Sequence, residues 1–229
     1  GFVIFLLCLV QFISYLLYQR WKFKSLGLNH VLIISTFLCV FFAGAYFHVQ
    51  QNPAWLRIMT EVKYGIDIDH QNHWKDRVRY PAPTYDNGET VNGSAYERTA
   101  WFTAGLHLLP KYPQGYGLLT HSFGRLAKKE WLDFNHPIIG KTYLATHSGW
   151  MDMALGVGVI GILCLWIPMG IAWWRSLGGD DFALCYAAWS IPIVFITYLT
   201  TELAGAHFTE LLIFLIAFYC GITLLPTKR

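Results

Sequence analysis

Five apolar stretches constrain what this chain can become more than any other feature: Phe2–Tyr18, Val31–Val49, Ser148–Trp174, Phe182–Thr201 and Phe208–Leu225. Each is long enough, or nearly so, to cross the ~30 Å hydrocarbon layer as a helix. Hydrocarbon supplies no water to backbone N–H and C=O groups, so a segment lying in it must bond internally, and helices follow. Composition points the same way. Of 229 residues, 55% are hydrophobic, only 14% are charged and ten are Trp, outside the range of ordinary soluble domains. The expected fold is an all-α polytopic membrane protein of about five transmembrane helices with a large, partly helical loop. Residues 1–49 hold two helices, 50–147 the loop, and 148–229 three helices and a tail. The chain starts inside an apolar run with no Met and none of the flanks of a signal peptide. It is expected to be the C-terminal part of a longer polytopic protein.

Short connections carry the orientation signal. Arg20, Lys22 and Lys24, then Arg175, then Lys228 and Arg229 fall on one side if the five helices alternate, and that side is cytoplasmic by the positive-inside rule. The loop between residues 50 and 147 holds eleven Lys and Arg, but loops of that length translocate largely regardless of charge. The loop and the short turn Glu202–His207 therefore face outward. Cys8, Cys39, Cys164, Cys185 and Cys220 all lie in apolar segments without metal-binding spacing, and read as core packing.

Within the loop, Ala54–Tyr64 has helical apolar spacing and is expected to lie along the membrane surface. Gly65–Asn92 reads as irregular, with turn signals at Pro81, Pro83, Asn87-Gly88 and Asn92-Gly93. Ala95–Leu109 reads as a helix stopped by Pro110 and Pro113, and a shorter helix is expected at about His121–Trp131. So many structured residues between two spans are more than a connector.

Two residues stand out. His147 sits where the loop meets the apolar run beginning at Ser148. At a helix N-terminus the dipole disfavours imidazolium, leaving a ring able to accept a proton. The same N-terminus attracts phosphate, and a bound anion would push the imidazole the other way. Arg98 shares a helical stripe with Trp101, Gly105 and Leu108. A guanidinium among apolar neighbours can grip a phosphate through two hydrogen bonds. The bland alternatives are a hydrogen-bonded structural His and an Arg paired with Glu97 or Asp152. Asp152, near the outer boundary, is a functional candidate by default and is expected to orient an arginine.

Weaker signals are set lower. Asp67, Asp69, His70 and His73 have the ligand types of a Mn²⁺ or Zn²⁺ site, but lie in an irregular loop. Gly115-Tyr116-Gly117 offers backbone N–H groups to a phosphate, although a plain turn is commoner. Asn92-Gly-Ser94 matches the glycosylation sequon and is read as a turn. Gly156, Gly158 and Gly161 are expected to allow close helix packing. Glu202 and His207 either face the site or simply snorkel.

Three blocks then carry a resemblance. The runs Gly93-Ser-Ala-Tyr-Glu-Arg98-Thr-Ala-Trp101, Tyr112-Pro113-Gln-Gly115-Tyr116-Gly117 and His147-Ser-Gly-Trp-Met-Asp152, continuing through Gly158 to Gly161, resemble the O-antigen ligase family. That family belongs to the O-antigen ligase/polymerase superfamily of bacterial envelopes. The likeness covers about Ala54 to Trp174, and Ser148 stands where many members have Asn. It implies a multi-pass glycosyltransferase of the bacterial inner membrane with its active site facing the periplasm. The donor would be an undecaprenyl-diphosphate-linked glycan and the acceptor a hydroxyl of the lipid A–core, within lipopolysaccharide synthesis. Arg98 would engage the donor diphosphate and His147 would be catalytic. Arg57, Arg77, Arg79, Arg125, Tyr116 and Asp152 are further candidates for holding diphosphate or glycan. No metal, cofactor or nucleic acid is expected, and membrane lipid is the remaining partner. An O-antigen polymerase or a protein O-oligosaccharyltransferase would share this donor chemistry. A non-enzymatic transporter or anion-binding envelope protein would instead show ionisable residues or broken helices near the midplane.

Overall fold

Each of the last four apolar stretches lies in a helix. The computed structural model describes residues 9, 13, 28–91, 94–117, 121–135, 145–178, 181–201 and 206–224, and among them there are seven helices. In chain order they are α1 (Leu28–Gln51), α2 (Pro53–Ile66), α3 (Ser94–Lys111), α4 (Ser122–Glu130), α5 (Gly149–Ser176), α6 (Phe182–Thr200) and α7 (Ala206–Leu224). The described part is all-α, its only β pairing an isolated bridge between Thr84 and Thr90. Two helices, α5 and α6, are long and apolar enough to cross a membrane. The expected first span, apart from residues 9 and 13, lies outside the described residues, as do Arg20, Lys22, Lys24, Asn92, Gly93, Glu202, Lys228 and Arg229.

Local chemistry sets the helix starts. Asn52 caps α2 through its Oδ1, which accepts the Ala54 N–H at 3.0 Å, and Pro53 takes the first helical position, where no N–H is needed. Asp181 Oδ1 accepts the Ala183 N–H at 3.0 Å at the start of α6. Pro110, expected to stop α3, instead lies inside it. Its ring falls in the final turn, and two residues on, the Tyr112 N–H still reaches the Leu108 carbonyl at 2.9 Å.

Two cores organise the chain. One collects the loop lobe around Trp74, Tyr96, Trp101, Leu108, Phe123 and Phe134. The other joins α5, α6 and α7 through Ile162, Ile191, Leu212 and Tyr219. The start of α5 belongs to both: Met151 and Leu155 enter the lobe core, while Trp150, Met153 and Ala154 enter the helical one. Residues 149–156 are all buried. A helical face that divides in this way couples the lobe to the bundle.

The apolar run 148–174 is not one straight helix. Gly158 has φ 78° and ψ 176°, which breaks α5. Trp150 and Trp166 show the consequence. Sixteen residues of unbroken helix would separate them by ~24 Å along the axis, yet their ring centroids are 5.8 Å apart. The first segment therefore folds aside from the second. The freed backbone groups are met by residues 113–117: Tyr116 N–H donates to Leu155 O at 2.8 Å, Gly117 N–H to Gly156 O at 2.9 Å, and Val159 N–H to Pro113 O at 2.8 Å. A break in a buried helix survives only when its polar groups find partners in this way.

Candidate functional site

Trp101 connects the two residues singled out by sequence. Its ring stacks on the His147 imidazole, with centroids 5.4 Å apart and planes within 18°. Trp101 is buried and points its indole Nε1 at the Trp74 carbonyl, 3.5 Å away. The stack is worth ~0.5–1.5 kcal/mol beyond area burial, and it limits how far the imidazole can swing. Arg98 precedes Trp101 by three residues on α3, which places their Cβ atoms about 5–6 Å apart. Arg98 is thus carried one helical turn before the indole on which the His147 ring stacks.

The backbone at His147 is itself unusual. Ser148, not His147, is the N-cap of α5, its Oγ accepting the Met151 N–H at 3.5 Å. His147 stands one position earlier with φ 58°, in the left-handed region. A non-glycine residue there costs of order 1–3 kcal/mol and persists only where its surroundings impose it. The surroundings are visible. Asp152, expected to orient an arginine, has its Oδ1 on the Thr146 N–H at 2.8 Å. Thr146 Oγ1 in turn donates to the Ser148 carbonyl at 3.2 Å. Asp152, Thr146 and Ser148 are all buried, and His147 is half-buried between them. Asp152 therefore belongs to the clip that presents His147. Gly105 of α3 lets this clip approach: a Cβ there would lie 2.7 Å from Met151 Cγ and 3.3 Å from Thr146 Cγ2.

Arg98 is exposed and has no hydrogen bond or ion pair among the described residues. Its expected structural partner is engaged elsewhere, because Glu97 pairs with Arg77. The other arginines are occupied. Arg57 faces Glu89 at 3.8 Å. Arg79 lies 5.4 Å over the Tyr80 ring, while its N–H and that of Val78 donate to Asp76 and hold that carboxyl below its usual range. Arg125 donates to the Tyr116 hydroxyl at 3.0 Å and stacks over its ring at 5.4 Å. Among the described residues the expected arginine cluster thus resolves into one guanidinium without a partner, that of Arg98, and four that have partners.

The weaker signals are placed as well. The N–H groups of Gly115, Tyr116 and Gly117 all serve protein carbonyls, so the segment is the turn expected of it and leaves none of these groups for a phosphate. Gly158 does not promote helix packing; it breaks the helix and receives the loop. His70 bonds to Asp67 at 2.6 Å, and that carboxylate raises the imidazole above its usual pKa. His73 turns to the Tyr80 carbonyl at 2.8 Å, and no three potential metal ligands converge among the described residues. Sequence reading noted Trp101 only as a stripe neighbour of Arg98. The clip from Asp152 to Thr146 carried no signal beyond a short polar spacing at a helix start.

The chain matches no protein-family model, no curated protein and no solved structure.

Proposed function

We propose that this chain is part of a periplasm-facing, metal-independent glycosyltransferase of the bacterial inner membrane, of the O-antigen ligase type. One observation carries the proposal. A conformationally held His147 stacks on the buried Trp101 indole where the loop lobe meets a long apolar helix, and Arg98, without a partner among the described residues, lies one turn before that indole on α3. A glycan linked to a lipid diphosphate matches that setting, because its reacting bond lies at headgroup depth and its leaving group is an anion.

The residues divide the chemistry simply. An acceptor hydroxyl oxygen attacks the anomeric carbon while the bond from that carbon to the diphosphate oxygen breaks. His147 takes the hydroxyl proton, and Arg98 neutralises charge on the departing diphosphate. A single displacement inverts the anomeric centre. Arg125 and Tyr116, already paired, form a planar cation–phenol surface suited to sugar hydroxyls rather than a free anion clamp.

Among the described residues, the break at Gly158, with Pro168 and Pro192 inside their helices, is what favours a transporter. Its flanking groups at Leu155, Gly156 and Val159 are bonded to residues 113–117, which leaves less backbone to coordinate a passing solute. The enzyme reading is therefore preferred. It is tested with the full-length protein in nanodiscs, given undecaprenyl-diphosphate glycan and lipid A–core, with chelator and without nucleotide sugar. Glycosylated lipid A–core is the expected product. Elongated lipid-linked glycan would mean a polymerase, glycosylated protein a protein oligosaccharyltransferase, and no transfer to any acceptor would reject the enzyme reading.

A further inference from the structure

We propose that α2 is a surface anchor that lies in the headgroup layer of the bilayer and holds Arg98 at that depth. The proposal rests on the membrane reading of the chain but not on glycan transfer. Leu56, Met59, Lys63 and Ile66 recur at the three- and four-residue spacings of one helix stripe, and all four are exposed. The three apolar side chains are exposed by 70%, 58% and 59%, uncommon for a row of large hydrophobic groups. A different face of α2 packs on protein, with Glu61 and Gly65 buried. Glu61 accepts the Tyr85 hydroxyl at 2.6 Å, Tyr64 donates to the Thr84 carbonyl at 2.9 Å, and Arg57 faces Glu89. The open stripe thus points away from the lobe.

Its position in the chain identifies the occupant. Only Asn52 separates α2 from α1, an apolar helix of 24 residues. With φ −108° and ψ 105°, Asn52 turns the chain at that point. A helix that leaves a span through a one-residue turn starts at the bilayer surface. There an apolar stripe sinks ~5–10 Å into the headgroup and acyl boundary, and Lys63 lays its stem along that surface with the ammonium toward phosphate. The anchor bears on the site through Gly65. A Cβ at Gly65 would sit 2.6 Å from the Tyr96 carbonyl, 2.7 Å from Thr99 Cβ and 3.0 Å from the Ala100 nitrogen. Those contacts bracket Arg98 in sequence, so the depth of α2 sets the depth of the α3 turn that carries it.

Spin-label accessibility tests this without reference to activity. With Cys8, Cys39, Cys164, Cys185 and Cys220 replaced, labels are placed singly at Leu56→Cys, Met59→Cys and Ile66→Cys in the full-length protein in bilayers. Ile167→Cys on α5 serves as the lipid reference and Asn87→Cys at the hairpin tip as the water reference. The three stripe labels are expected to collide more with oxygen than with a nickel chelate, as at position 167, with the opposite preference at position 87. Stripe labels that behave like position 87, or that are shielded from both reagents by a protein partner, would overturn the anchor. Water-like behaviour at position 167 as well would overturn the membrane reading on which it rests.

Discussion

Gly158→Ala is expected to destabilise the protein by several kcal/mol, about 2–6. In an unbroken apolar helix the same substitution would stabilise, by about 1 kcal/mol, because alanine is the better helix former. The two accounts of residues 148–174 therefore predict opposite signs. At φ 78° and ψ 176° a Cβ is strained by ~1–3 kcal/mol, and it would lie 2.5 Å from the Gln114 carbonyl carbon and 2.6 Å from the Pro113 oxygen. These are backbone atoms that cannot swing away, and overpacking of that kind adds roughly 1–3 kcal/mol. Gly88→Ala separates strain from clash, since Gly88 also has positive φ but nothing within 4 Å of its Cβ site. Thermal midpoints followed by size-exclusion in detergent should fall by roughly 5–15 °C for Gly158→Ala and by much less for Gly88→Ala. A midpoint equal to or above wild type for Gly158→Ala would mean that α5 is continuous.

The second large effect concerns His147. Loss of a positioned acid–base group costs ~10²–10⁴-fold in turnover. His147→Asn is the informative variant, because asparagine tolerates the left-handed backbone that the observed φ of 58° requires. It should fold as wild type and lose most of kcat. Trp101 acts through His147, so its variants should follow a different pattern. Trp101→Phe keeps a ring for the imidazole to stack on and should retain much of the activity. Trp101→Leu should lower kcat with little change in KM and broaden the His147 ring signals in NMR. Equal activity in Trp101→Leu and Trp101→Phe would reduce the stack to ordinary packing. Undiminished turnover in His147→Asn would remove that residue from the chemistry.

Local signals were readable in the chain, and long-range ones were not. The apolar periodicity of Ala54–Tyr64 predicted α2 to within two residues at each end, although the Asn52-Pro53 start went unread. The length and hydropathy of residues 182–200 did the same for α6. Gly158 was misread because a glycine in an apolar run is compatible with an ordinary span. What breaks the helix there is the pairing of Leu155, Gly156 and Val159 with a segment some forty residues earlier, which no local pattern encodes. The arginines show the same limit. Six candidate site residues share a charge or a phenol with the loop, yet only tertiary contacts reveal that Glu97 takes Arg77 and leaves Arg98 open. The place of His147 at a helix start was readable because it is a local fact, while the indole stacked on it was not.

The central claim is that Arg98 and His147 serve one anionic, lipid-linked ligand. Binding of undecaprenyl diphosphate, without glycan or acceptor, tests it most directly. Affinity would be measured by native mass spectrometry of the full-length protein, comparing wild type, Arg98→Lys and His147→Asn. A planar, bidentate contact is lost in Arg98→Lys even though the charge is kept, so affinity should fall by roughly tenfold, or about 1.4 kcal/mol. His147→Asn, altered in proton transfer rather than in charge neutralisation, should bind nearly as wild type does. Wild-type affinity in Arg98→Lys, or no measurable binding by wild type, would contradict the account.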